Sequence, residues 1–91
     1  MLKITRAVLS KKESTLRLDG RITGQWVGLL QESAQFVLDE EVTLSVDLKN
    51  VSFIDWEGIA LLRSLLDQGA YVLNAPLFLV EQIGKRKDAQ S

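Results

Sequence analysis

The sequence predicts an α/β fold, a mixed four-stranded sheet with helices in the order β-β-α-β-α-β-α. Three observations predict it. Two short stretches near the start alternate apolar and polar residues around a polar connection. Further on, Val42, Leu44, Val46 and Leu48 alternate without a break against Thr43, Ser45 and Asp47, the period of a strand with one packed and one more polar face. A wide apolar helix then joins that strand to another, and a strand–helix–strand crossover requires a parallel, right-handed pair.

The elements follow in order. Leu2, Ile4 and Val8 share one side of a first strand over 2–9, and Thr15-Leu16-Arg17-Leu18 alternates again before Asp19-Gly20. With Ser10-Lys11-Lys12-Glu13-Ser14 between them, the pair reads as a hairpin. A helix comes next, with Thr23 placed to cap it and Trp26, Leu29, Leu30, Ser33, Phe36 and Val37 at helical spacing. It is predicted to end at Asp39-Glu40-Glu41, three acids that read as a solvated helix end because consecutive carboxylates do not converge on one cation. The strand over 42–48 leads through Val51-Ser52-Phe53-Ile54 to Asp55, a good helix cap. The helix from Trp56 to about Gln68 carries Ile59, Leu61, Leu62, Leu65 and Leu66, a face wide enough to be deeply packed. Gly69 closes it, Ala70-Tyr71-Val72-Leu73 forms a strand, and Pro76 opens a last short helix over 77–83. The predicted organisation is one domain over 1–84 and a flexible tail over 85–91.

Composition excludes several kinds of chemistry. The 91 residues include no cysteine and no histidine, so disulfides, thiolate nucleophiles and the commonest general base and metal ligand are all missing. No metal site and no cofactor is predicted, and an enzyme is not expected. A net charge of −1 creates no field for nucleic acid, and Lys85-Arg86-Lys87 is too short a basic run to change that. Gly20, Gly24 and Gly28 are not spaced as a phosphate-binding loop. No apolar stretch approaches a membrane span and the start is charged rather than apolar, so direct membrane insertion is not expected and a cytoplasmic location is.

The stretch from Val46 to Leu62 resembles the central motif of the STAS domain, the fold of anti-sigma-factor antagonists. In that motif a strand ends Val-Asp-Leu, and a loop leads to Ile-Asp-Ser-Ser/Thr-Gly and an apolar helix. Val46-Asp47-Leu48, Ile54-Asp55, Gly58 and Leu61-Leu62 match it. The resemblance is good over about 42–73, fair over 1–41 and weak beyond. It implies a STAS-like sheet and a non-catalytic regulatory module that binds a protein partner through the residues around the motif: Asn50, Asp55, Trp56, Glu57 and Gly58. The implied partner is an anti-sigma factor of kinase type or, alternatively, the other subunits of a membrane transport complex; a homodimer is left open. The resemblance also implies a kinase acting on a hydroxyl between the Asp and the Gly, and there this sequence departs from the pattern. Trp56 and Glu57 stand at those two positions, and neither carries a hydroxyl.

Each of these residues has a plainer reading. Asp55 is a helix N-cap before it is anything else. Glu57 suits the positive end of a helix dipole; as a phosphate stand-in it has one charge and two oxygens against about −1.5 to −2 and three. Trp56 is either buried against the preceding loop or an exposed anchor of the kind enriched at interfaces, whereas Trp26 is expected in the core. Gly58 permits close packing at the helix start. Asp47 is expected to bond a neighbouring loop.

Overall fold

The hairpin forms as expected and runs longer. In the computed structural model, which describes residues 1–82, β1 (Leu2–Ser10) turns at Lys11–Lys12 into β2 (Glu13–Ile22), antiparallel and in register from Leu2↔Gly20 to Val8↔Ser14. The chain continues through α1 (Gln25–Asp39), β3 (Thr43–Ile54), α2 (Trp56–Asp67) and β4 (Tyr71–Leu73). A third helix, α3, follows over 77–82, started where Pro76 accepts from Leu79 and Val80. The expected boundary at 84 and the tail over 85–91 lie outside the described residues.

The sheet order is β1-β2-β3-β4. β2 and β3 are parallel, and so are β3 and β4, with Ser45↔Tyr71 and Asp47↔Leu73 in register. The crossover through α2 therefore joins parallel neighbours, as its length predicts. The core lies on one face of the sheet. Leu16, Leu18, Leu44, Val46 and Leu48 meet Leu30, Ala34 and Val37 of α1 and Leu61, Leu62 and Leu65 of α2 in one buried cluster. The other parity presents Thr5, Arg17 and Asp47 in one row across three strands.

Three local expectations are corrected. Asp19-Gly20 does not end the second strand. Gly20 takes φ 115° inside it, a conformation open to glycine, and the chain passes through a register shift instead of reversing. Residues 49–54 likewise stay in β3, pairing with Asp19–Ile22 across two irregularities. Bulges convert the two-residue alternation into burial at every third residue, Leu48, Val51 and Ile54, which is why alternation alone stops at 48.

The third correction concerns α1. Its buried stripe is Leu30, Ala34 and Val37, rotated from the one marked by the bulky residues. With Ala34 fully buried in that stripe, Leu29 and Phe36 face outward, 44% and 64% exposed. Trp26 is half-buried against the cluster, not in it, and Thr23 does not cap the helix, because the N-cap is Gly24 with no side-chain bond of its own. At the other end Glu40 takes an ion pair, accepting from Arg6 at 2.6 Å, while Arg6 also donates to Ser14 at 3.1 Å. The guanidinium holds the Glu40 carboxyl below its usual range; exposed pairs of this kind stabilise little.

Candidate functional site

Parallel pairing of β2 and β3 through Ile22↔Ile54 makes the two strands end level. Each feeds a helix, so the N-termini of α1 and α2 start side by side at the carboxyl edge of the sheet. Asp55 joins them. Its backbone N–H donates to the Ile22 carbonyl at 3.1 Å. Its Oδ1 accepts from the Gly58 N–H at 2.8 Å, the expected cap of α2, and its Oδ2 accepts from the Gly24 N–H at 3.0 Å. One carboxylate thus ties down both helix entries. Gly24, at φ 52° with no side-chain cap, depends on this neighbour, and the sequence carries no signal for it because the bond spans 31 residues.

The hydrogen bond from Gly58, and after it that from Gly24, holds the Asp55 carboxyl below the usual aspartate range. A lowered folded value means that this group stabilises the fold above its unfolded pKa of about 3.9, and that the contribution is lost as pH falls through the lower folded value. The difference in stability between wild type and Asp55→Asn is therefore expected to be constant near neutral pH and to shrink below about pH 4. Chemical denaturation of both proteins across that range checks it; a pH-independent difference would show that the charge does not matter.

Gly58 is buried, and a Cβ there would lie 2.6 Å from Ile54 Cγ1 and 3.0 Å from Ile22 Cγ2. The missing side chain lets the first turn of α2 sit down on the two strand ends. Trp56 and Glu57, in that same turn, point away from them: Trp56 is 77% exposed and Glu57 is exposed as well. Of the two readings of Trp56, burial against the loop is not the one observed. Phe53, also exposed, carries the Arg21 guanidinium 4.7 Å above its ring.

The structure brings Asp55, Trp56, Glu57 and Gly58 together but keeps Asn50 apart. Asn50 sits within β3 and donates to Asp19 at 2.8 Å, five residues or about 16 Å of extended chain from Asp55. Asp47 bonds one neighbouring loop, accepting from Asn74 at 3.2 Å, and its second bond stays within β3, accepted from the Lys49 N–H at 3.0 Å.

No family model and no curated protein matches this sequence. Solved structures do match. An anti-sigma factor antagonist from Mycobacterium paratuberculosis is similar with a TM-score of 0.79 and 16% identity, over 97% of this chain and 82% of that one. The anti-sigma factor antagonist SpoIIAA in its unphosphorylated form is similar with a TM-score of 0.69 and 17% identity, over 94% of this chain and 81% of that one. This chain has a STAS-like fold. Phosphorylated Bacillus SpoIIAA is similar too, with a TM-score of 0.64 and 19% identity, over 97% of this chain and 81% of that one. At such identities the STAS-like likeness is one of fold. Among the described residues, no helix is long and apolar enough to cross a membrane.

Proposed function

We propose that this chain is a non-catalytic, protein-binding regulatory module of the anti-sigma-factor-antagonist type, whose recognition surface is the start of α2 and which has no phospho-acceptor between Asp55 and Gly58. One observation carries the reading: a large aromatic, Trp56, stands 77% exposed on a helix turn anchored from beneath by Asp55 and Gly58. Exposed Trp contributes disproportionately when an interface buries it, and a rigid mount reduces the ordering cost of binding. The shared fold with anti-sigma factor antagonists supports the same reading. Glu57, in the first turn, adds a fixed negative charge beside the anchor.

The test is affinity capture from the native cell with wild type and Trp56→Ala, followed by titration calorimetry with the captured protein. Trp56→Ala is expected to weaken binding by at least about 1 kcal/mol while moving the denaturation midpoint little, since surface changes usually stay within about 0.5 kcal/mol. Equal binding by the two proteins would overturn the surface assignment. The identity of the captured protein separates an anti-sigma factor of kinase type from a transport-complex subunit.

Protein purified from its own host is expected to carry no phosphate on residues 55–58, because Trp56 and Glu57 have no hydroxyl. Intact mass and peptide mapping check this. Ser52 is the nearest hydroxyl along the sequence; it is exposed on β3, where it donates to the Gly20 carbonyl at 3.3 Å. Stoichiometric phosphate on Ser52 would mean that the switch has moved.

A further inference from the structure

The sheet ends on two unlike edges. β4, on one side, has three residues, and Asn74-Ala75-Pro76 follows it directly. β1, on the other, runs nine residues from Leu2 to Ser10, and among the described residues no strand lies beyond it. Its register decides which of its backbone groups face outward. Opposite residues of an antiparallel pair alternate between those that exchange hydrogen bonds and those that do not. The Arg21 N–H donates to the Met1 carbonyl at 3.0 Å, one step beyond Leu2↔Gly20 in the same register. Lys3, Thr5 and Ala7 therefore bond inward to β2, while the N–H and C=O groups of Leu2, Ile4, Arg6 and Val8 point out of the sheet edge. The helices leave that edge open, since α1 packs on β2 and β3 and α2 on β3 and β4.

We propose that the β1 strands of two copies of this chain pair along this edge, antiparallel about a two-fold axis, and join the two sheets into one. A two-fold contact must complement itself, and antiparallel copies of one strand do so because each presents the same alternation of donors and acceptors to the other. One register uses every outward group. With Thr5 on the axis, Leu2 of one copy faces Val8 of the other, and Ile4 faces Arg6. On the opposite face of the sheet, Lys3 faces Ala7. No like charges stand directly opposite, a placement that destabilises strand pairs. Sliding the strands by two residues one way sets Arg6 against Arg6, and the other way leaves Val8 without a partner. Sheet edges resist pairing when they are short, carry proline or hold a charge on the packed side. β1 is long and has no proline, and its irregularity lies past Val8. The one charge on its packed side, Arg6, is already offset within the chain by Glu40 at 2.6 Å, so each copy brings its own counter-charge to the pairing. Val8, 65% exposed in the single chain, gains Leu2 as a cross-strand neighbour. The fit is a property of β1 alone and asks nothing of the occupant beyond a second copy.

Sedimentation velocity of the full chain over a dilution series tests the proposal. Wild type is expected to move from the 10.2 kDa monomer to twice that mass as concentration rises. Proline at an outward position removes an edge donor and leaves the ladder to β2 intact. Arg6→Pro is therefore expected to raise the dimer dissociation constant at least about tenfold, whereas Arg6→Ala, which loses the ion pair and keeps the N–H, dimerises like wild type. Val8→Pro gives the same reading if Arg6→Pro lowers the circular-dichroism melt. Amide exchange at Ile4 and Arg6 is expected to slow as wild type is concentrated. Wild type that stays at the monomer mass throughout, a dimer indifferent to both proline variants, or a dimer lost equally in Arg6→Ala overturns the proposal.

Discussion

Gly58→Val is expected to destabilise the fold by about 3 kcal/mol, the upper end of the usual overpacking cost. Total stability for a chain of this length is on the order of 5–13 kcal/mol, so the loss would be a large part of it. Two effects oppose each other at this position. Removing a glycine from a helix gains up to about 1 kcal/mol in propensity, and taken alone that predicts stabilisation by Gly58→Ala. Space decides the other way. The first added carbon would lie 2.6 Å from Ile54 Cγ1, and Ile54 Cδ1 and Ile22 Cγ2 are each 3.0 Å away. Cγ1 is not the free tip of a side chain, and Ile22 and Ile54 are both in the buried cluster, so the helix start must lift. That movement also pulls the Gly58 N–H from Asp55, 2.8 Å away, and loosens the mount of Trp56. Gly58→Ala is thus expected to be destabilising but milder, and Gly58→Val to weaken partner binding as well. Urea denaturation ranks the three proteins. A higher midpoint for Gly58→Ala would show that the first turn of α2 is packed less closely than these distances state.

Leu62→Ala is expected to cost about 2–5 kcal/mol. Leu62 is fully buried on the inner face of α2, in one cluster with Val46 and Leu48 of β3 and Leu30 and Val37 of α1. Its removal leaves a cavity between layers whose backbones are held by the sheet and can close only in part, so the cost includes the void as well as the lost transfer energy. Set beside Trp56→Ala on the same helix, the substitution tests whether α2 is two-sided. A loss below about 1 kcal/mol for Leu62→Ala would mean that the layers collapse onto the site. A multi-kcal loss for Trp56→Ala would put that ring in the core and remove the proposed recognition surface.

The two tryptophans show how much a linear pattern carries. Both sit at the start of a helix. Trp56 follows a cap residue on a helix whose core side is supplied by Leu61, Leu62 and Leu65, but the sequence leaves both burial against the preceding loop and exposure open, and the structure decides for exposure. Trp26 lies in a helix with apolar residues on more than half its circumference, and several stripes fit the 3.6-residue period equally well. The stripe of Leu30, Ala34 and Val37 is the one buried, in a cluster with strand residues distant in sequence.

What the sequence by itself determined is what depends on near neighbours: the hairpin, the alternating strand over 42–48, the crossover through α2, the Asp55 cap of that helix, and the absence of any hydroxyl at 56 and 57. These follow from periods of two and of 3.6 residues and from side-chain chemistry at fixed positions. The tertiary structure alone decided that β2 reaches Ile22 and β3 reaches Ile54, that Gly24 shares the Asp55 carboxylate, and that Leu29 and Phe36 face outward. In each case the deciding partner is remote in the chain. A bulged strand keeps its extended form because another strand pairs with it, and a helix with two apolar sides buries the one that the sheet can reach.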